Sequence, residues 1–211
     1  MKYSNPPDAA ALMSTARSFG SYDLAAALAD IIDNSITADA SEVSILFEPG
    51  DSDVTVRVRD NGVGMTRERL IAAMRPASTN PDNRRDPADL GRFGWGLKSA
   101  SFSQARILTV VTWRDGEINA AGWDLDDIDN YAMDLVSDTE ALHLLGYPPK
   151  TTSGTEVIWT KTDRLVSKQD NGVDNGLTRS IAEARERLSL TFHRYLAGAG
   201  GSQLVVSVNG S

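Results

Sequence analysis

Val54, Val56 and Val58 alternate with Thr55, Arg57 and Arg59, a period of two that predicts a half-buried strand ending at Asp60. Residues 22–37 have a different period. Leu24, Leu28, Ile31, Ile32 and Ile36 gather on one side at ~100° per residue, which predicts an amphipathic helix. Asp23, Asp30, Asp33 and Asn34 fall on its other side, with Asp30 and Asn34 stacked one turn apart. The same reading predicts a helix over 8–19, a strand over 43–48 with a turn at 49–53, and a short helix over 66–75 capped by Thr66. The Pro-, Asn- and Asp-rich stretch 76–89 reads as a mobile loop. A helix over 95–104 follows, then a hairpin of strands 107–113 and 117–123 across Arg114-Asp115-Gly116. The acidic stretch 124–150 yields no clear element. A strand over 155–160, a helix over 178–196 with Ile181, Ala184, Leu188, Phe192 and Tyr195 on one stripe, a Gly-rich break and a last strand from 203 to 208 complete the chain.

With 211 residues, 41% hydrophobic and 24% charged, the composition is that of a globular domain, or of one domain and the start of another. The 21 Lys+Arg against 29 Asp+Glu give a net charge of −8, which argues against nucleic acid being gripped by this segment itself. There is no cysteine, so no disulfide framework and no Cys-based zinc site. His143 and His193 are too few and too far apart to suggest a metal cluster. No secretory signal and no apolar run approaching the ~20 residues of a membrane span is found, so the expected location is cytoplasmic.

Four short segments carry candidate chemistry. The first, 29–35, offers Asn34 as an oxygen ligand for magnesium, which prefers oxygen and keeps waters, and Asp30 as a base for a water attacking a γ-phosphate. The second, Asp60-Asn61-Gly62-Val63-Gly64-Met65, offers a carboxylate that accepts from the exocyclic amine of adenine and repels a guanine oxygen. Gly62 and Gly64 let the backbone approach a base and sugar. The third, Leu90 to Ser99, places Gly91, Gly94 and Gly96 before a helix, so that free N–H groups and the helix dipole meet where a phosphate could sit, with Arg92 and Lys98 adding charge. It is neither a Walker A motif nor a dinucleotide fingerprint. The fourth, Ser153-Gly154-Thr155-Glu156, places Thr155 to bond an adenine edge directly or through water.

Each segment alone admits a plainer reading. Asp-Asn-Gly is common turn chemistry, a polar helix stripe ordinarily faces solvent, and glycines before a helix can be a linker. Phe93 and Trp95 weigh against the linker, because bulky aromatics imply packing.

Together and in this order the segments resemble the GHKL ATPase superfamily of gyrase B subunits, heat-shock chaperones, histidine kinases and MutL. Ile32-Asp33-Asn34-Ser35 followed by Ala38-Asp39-Ala40, and Gly91-Arg92-Phe93-Gly94-Trp95-Gly96-Leu97-Lys98-Ser99, are similar in style to MORC-type and MutL-type members. The likeness covers about residues 20 to 160. It implies an α/β (α+β) two-layer sandwich, a mixed, mostly antiparallel sheet covered on one face by helices. It implies ATP and Mg²⁺ as cofactors, held by Asn34, Asp60, Gly62, Gly64, Met65, Gly91, Arg92, Phe93, Gly94, Trp95, Gly96, Leu97, Lys98 and Thr155, with a lid at about 76–89.

The expected function is Mg-dependent ATP binding and slow hydrolysis, gating homodimerisation of a larger protein. The domain is expected to run over 1–198, with 199–211 opening a following one that supplies a γ-phosphate lysine; nucleic acid is reached only through other regions. Hydrolysis is expected to be slow because Asp30 stands where the superfamily usually has Glu; Thr37 likewise stands where Asp is usual. A non-hydrolysing ATP-dependent switch stays open as an alternative. A histidine-kinase reading needs a phospho-accepting His on a preceding helix, and no His precedes residue 34.

Overall fold

A computed structural model of the chain describes residues 3, 8–18, 22–50, 53–76, 95–128, 132–165, 173–198 and 203–210. Of the expected lid only Pro76 falls within them, and Gly91, Arg92, Phe93 and Gly94 lie outside. Helix α1 (Ala9–Ala16) starts at Asp8, whose carboxylate accepts the Ala11 N–H at 2.7 Å. Helix α2 (Leu24–Thr37) starts the same way at Asp23, with the Ala26 N–H at 2.9 Å. Its Leu24, Leu28, Ile31 and Ile32 are buried, as the 3.6 period demands.

Strands β1 (Glu42–Pro49) and β2 (Val54–Asp60) form an antiparallel hairpin with Val43 opposite Asp60. Val43, Ile45 and Phe47 of β1 meet Val54, Val56 and Val58 of β2 on one buried face. Helix α3 (Arg67–Met74) is capped by the Thr66 hydroxyl and buries Leu70 and Met74. Helix α4 (Gly96–Gln104) has no side-chain cap, and Lys98 to Gln104 are all buried. Strands β3 (Ile107–Arg114) and β4 (Glu117–Asp124) form the expected hairpin.

The acidic stretch holds two further elements, β5 (Asp134–Ser137) and α5 (Asp138–Leu144). Four residues with no alternating burial become a strand because β4 supplies a ladder for them. Strand β6 (Gly154–Thr160), helix α6 (Val173–Thr191), the single turn α7 (His193–Leu196) and strand β7 (Val205–Val208) follow. The helix expected over 178–196 thus starts earlier and breaks at Phe192. Gly176 lies inside it, where its cost of about 1 kcal/mol is offset by packing of the flanking helix, Leu177 included. Phe192 leaves helical geometry (φ −101, ψ 13), so Phe192 stays buried while Tyr195 is half exposed.

The seven strands form one mixed sheet in the order β5-β4-β3-β6-β2-β1-β7, parallel only between β1 and β7. The segment expected to open a following domain therefore places a strand at the edge of this sheet. Helices α1, α2, α4 and α6 pack on one another over one face, and their apolar residues share a core with Leu108, Val110, Val157 and Trp159. The other face carries the alternate residues Val111, Trp113, Ala120 and Ile158, which pack with Ala141 of α5 and Leu145. On that face Glu156 is fully buried between the Arg57 and Arg59 guanidiniums. Arg59 lies over the Tyr147 ring at 3.6 Å and donates to the Tyr147 carbonyl at 2.9 Å, while Arg57 donates to the Leu144 carbonyl at 3.1 Å. The two arginines thereby pin the 144–147 segment to the sheet.

Removing one member of such a buried set leaves charges uncompensated, at about 3–5 kcal/mol. Glu156→Ala is expected to lower the unfolding free energy by about that amount in a urea titration. A loss below about 1 kcal/mol would mean that water already screens this cluster.

Candidate functional site

Asp60 ends β2 directly opposite Thr155 of β6 and Val43 of β1. Its side chain points to the helical face, as period two requires, and is buried. One carboxylate oxygen accepts the Gly62 N–H at 2.9 Å and the other accepts the Ser35 hydroxyl at 3.0 Å. The Thr155 main chain adds a third bond. Burial is the larger influence and pushes the carboxyl above the usual range; the three bonds act the other way. A carboxylate has about four acceptor positions, so one remains for a ligand.

The turn after Asp60 is shaped by close approach. A Cβ on Gly64 would stand 2.4 Å from the Trp113 carbonyl oxygen, and its φ of +64° is unfavourable for other residues. A Cβ on Gly62 would stand 2.6 Å from the Ala38 carbonyl oxygen. Those glycines bring the turn flat against the end of α2 and of β3, and the Met65 N–H donates to the Thr112 hydroxyl at 2.8 Å.

Between this turn, α2 and the start of α4 lies a cavity of about 500 Å³, within the range of small-molecule sites. Asn34, Asp60, Gly64, Met65, Gly96, Leu97, Lys98 and Thr155 are among the residues that line it. Val110, Val157 and Ile31 give it an apolar wall. Gly62 stands behind Asp60 as its hydrogen-bond donor, and Trp95 is the partly buried residue on which α4 begins. Asn34 is exposed at the rim. Residue 34 and the first turn of α4 therefore share one cavity, although more than sixty positions separate them in sequence.

Asp30 stands one turn before Asn34, with a carboxylate oxygen 3.8 Å from where a Cβ on Gly96 would be. The Tyr22 hydroxyl donates to it at 3.0 Å. Burial raises the Asp30 carboxyl, against the pull of the Tyr22 bond. Burial and the Asp30 carboxylate push the Tyr22 hydroxyl up to about 12. Burial, and then the Asp30 charge, raise Asp33 as well. Thr37, at the rim of the cavity, donates to the Asp33 carbonyl at 2.9 Å.

Lys98 is buried to 1% exposure, and its ammonium donates to the Ala73 carbonyl in the last turn of α3 at 2.5 Å. Desolvation pulls it down to about 8. The sequence reading placed Lys98 at the glycine-rich segment by its charge; its burial and its bond to α3 carry no sequence signal. Three further side chains escaped that reading. Ser35 and Tyr22 hold the two site carboxylates, and Thr112 bonds Met65, Gly154 and Thr155. Ser35 stands on the same helix face as Asn34's neighbour Ile31, a weak signal at best, and Thr112 lies inside an ordinary β-branched strand. Among the described residues, no three His, Asp or Glu stand together to hold a metal, and no helix is long and apolar enough to cross a membrane.

The chain is similar to several known proteins. Over 94 residues, 44% of this chain and 11% of the relative, the chain is 36% identical to ATPase morc-1 of Caenorhabditis elegans. It is 33% identical to the DNA mismatch repair protein MutL of Thermotoga maritima, over 40% of this chain and 17% of the relative. It is 29% identical to the chaperone protein HtpG of Rickettsia prowazekii, over 58% of this chain and 20% of the relative. The matched part thus spans a fifth or less of each of these proteins. The description "Histidine kinase-, DNA gyrase B-, and HSP90-like ATPase" fits residues 22–155. That stretch is well over half of the chain and holds every residue that lines the cavity described above except Val157, so the chain belongs to this ATPase family.

Proposed function

We propose that the chain binds Mg-ATP in the cavity between α2, α4 and the sheet, hydrolyses it slowly, and by doing so switches a larger protein between open and closed homodimers. One observation supports this above others: four segments far apart in sequence contribute Asn34, Asp60, Gly96, Lys98 and Thr155 to one cavity. Asp60 accepts from the adenine amine through its remaining acceptor position. Thr155 bonds the same edge, and Val110 and Val157 cover the base. The first turn of α4, which has no side-chain cap, faces the phosphates, and the buried Lys98 ammonium, bonded to the Ala73 carbonyl, adds a cation. Asn34 contributes one oxygen to magnesium, whose charge neutralises the phosphates when it is bound.

Asp30 takes the proton from the attacking water, and Tyr22 orients its carboxylate. A raised carboxyl is a better proton acceptor at neutral pH, which favours hydrolysis. The short Asp side chain limits its reach, and that keeps a second reading: an ATP-dependent switch in which hydrolysis is negligible. A cytoplasmic location, where ATP is supplied, goes with either reading. Homodimer pairing, and any contact with nucleic acid, belong to parts of a longer protein.

Asn34→Ala is expected to abolish Mg-dependent ATP binding in isothermal titration; unchanged affinity would remove the metal role. Asp30→Ala should retain ATP binding while phosphate release falls at least tenfold. Turnover equal to the parent's would place the base elsewhere. Asp60→Asn should still fold, with a lower melting temperature because the amide nitrogen cannot accept from the donors that hold the carboxylate, and should lose stabilisation by ATP.

Lys98 generates a pH prediction. An unfolded lysine titrates near ~10.4, and folding lowers Lys98 to about 8. Between these values the unfolded chain binds more protons, so stability rises with pH, by roughly 3 kcal/mol in all. Lys98→Met is expected to be more stable than the parent at pH 7, with the gap closing between pH 8 and 10.5. A gap independent of pH would show that Lys98 is solvated.

A further inference from the structure

Thr112 lies behind the cavity wall, fully buried on β3 and directly opposite Thr155. Its hydroxyl oxygen has three neighbours. The Met65 N–H is 2.8 Å away and can only donate. The Gly154 carbonyl is 3.0 Å away and can only accept. The Thr155 hydroxyl, 3.3 Å away, can do either. A hydroxyl has one hydrogen and two lone pairs. Gly154 takes the hydrogen and Met65 takes one lone pair, so the second lone pair accepts the Thr155 hydrogen. The Thr155 hydrogen therefore points away from the cavity, and its lone pairs are left toward it.

We infer that Thr112 is a specificity-determining positioning residue: by accepting the Thr155 hydrogen it makes the base-reading end of the cavity acceptor-only. This rests on the reading of the cavity as a purine nucleotide site. Asp60, ionised, also presents acceptors alone. Two acceptors suit the two hydrogens of the adenine amine, while the ring-nitrogen acceptor beside that amine is left to water. They repel the six-position carbonyl of hypoxanthine or guanine. A hydroxyl free to turn at Thr155 could donate to that carbonyl, so the polarity set by Thr112 adds discrimination that Asp60 alone does not supply. Thr112 itself does not line the cavity.

The test compares ATP with ITP, which differs by carrying a carbonyl and a ring N–H in place of the amine edge. Isothermal titration of the parent is expected to show ATP preferred. Thr112→Val, which keeps the shape and removes the hydroxyl, should narrow the ATP-to-ITP affinity ratio about tenfold, one hydrogen bond's worth. Thr112→Ser should restore the parent's ratio, which a role in packing alone would not predict. A parental ratio in Thr112→Val, or a serine variant that behaves like valine, overturns the inference while leaving ATP binding standing. A parent that binds neither triphosphate, or both equally, overturns the adenine reading as well. If the valine variant does not fold, NMR on the parent decides. A slowly exchanging Thr155 hydroxyl proton close to Thr112 supports the inference, and rapid exchange at Thr155 overturns it.

Discussion

Burying a carboxylate costs several kcal/mol unless its oxygens are hydrogen-bonded. At the end of β2 the chain meets that condition for Asp60 with three donors from three places: Ser35 of α2, Gly62 of the following turn and Thr155 of β6. The helical layer, the turn and two strands must all be in position before those bonds form together. The constraint runs both ways. A shift of α2 by one turn would strand the carboxylate, and the same shift would carry Asn34 and Asp30 away from α4. Geometry of the site and register of the fold are thus held by one polar cluster.

The two faces of the sheet divide the labour at one strand. Thr155 looks into the cavity, and Glu156, the next residue, looks the other way into a pair of arginines. Period-two alternation makes that inevitable. The arginines hold the 144–147 segment, and Thr151 beyond it accepts from the Trp113 indole at 3.2 Å. The carbonyl of Trp113 in turn limits residue 64 to glycine. Packing on the far face therefore reaches the turn that shapes the cavity, through contacts that involve no cavity-lining residue except Gly64.

Much of the fold was legible because its elements carry strong local periods. The valines of β2 and the apolar stripe of α2 each decide an element without help from the rest of the chain. The acidic stretch was not legible, since β5 exists only by pairing with β4, and α5 buries little beyond Ala141. The start of α6 was read too late in the chain because Asn175-Gly176 looks like a turn in isolation. Of the residues that line the cavity, Asn34, Asp60, Gly64 and Gly96 were singled out by their chemistry. The side chains that orient them were not, since Ser35, Tyr22 and Thr112 are of ordinary type in ordinary places.

What the amino-acid sequence determined alone was therefore local: helix and strand periods, the cap at Thr66, and an inventory of groups able to bind phosphate, adenine and a divalent ion. What only the tertiary structure decided was which of these face one another. It turned Lys98 into a buried cation on the last turn of α3, brought Asp30 beside Gly96, and set the Thr155 hydroxyl 3.3 Å from that of Thr112. The reason is physical. Periodicity encodes one element's relation to the core, whereas the state of a proton or a charge depends on neighbours that arrive from distant parts of the chain.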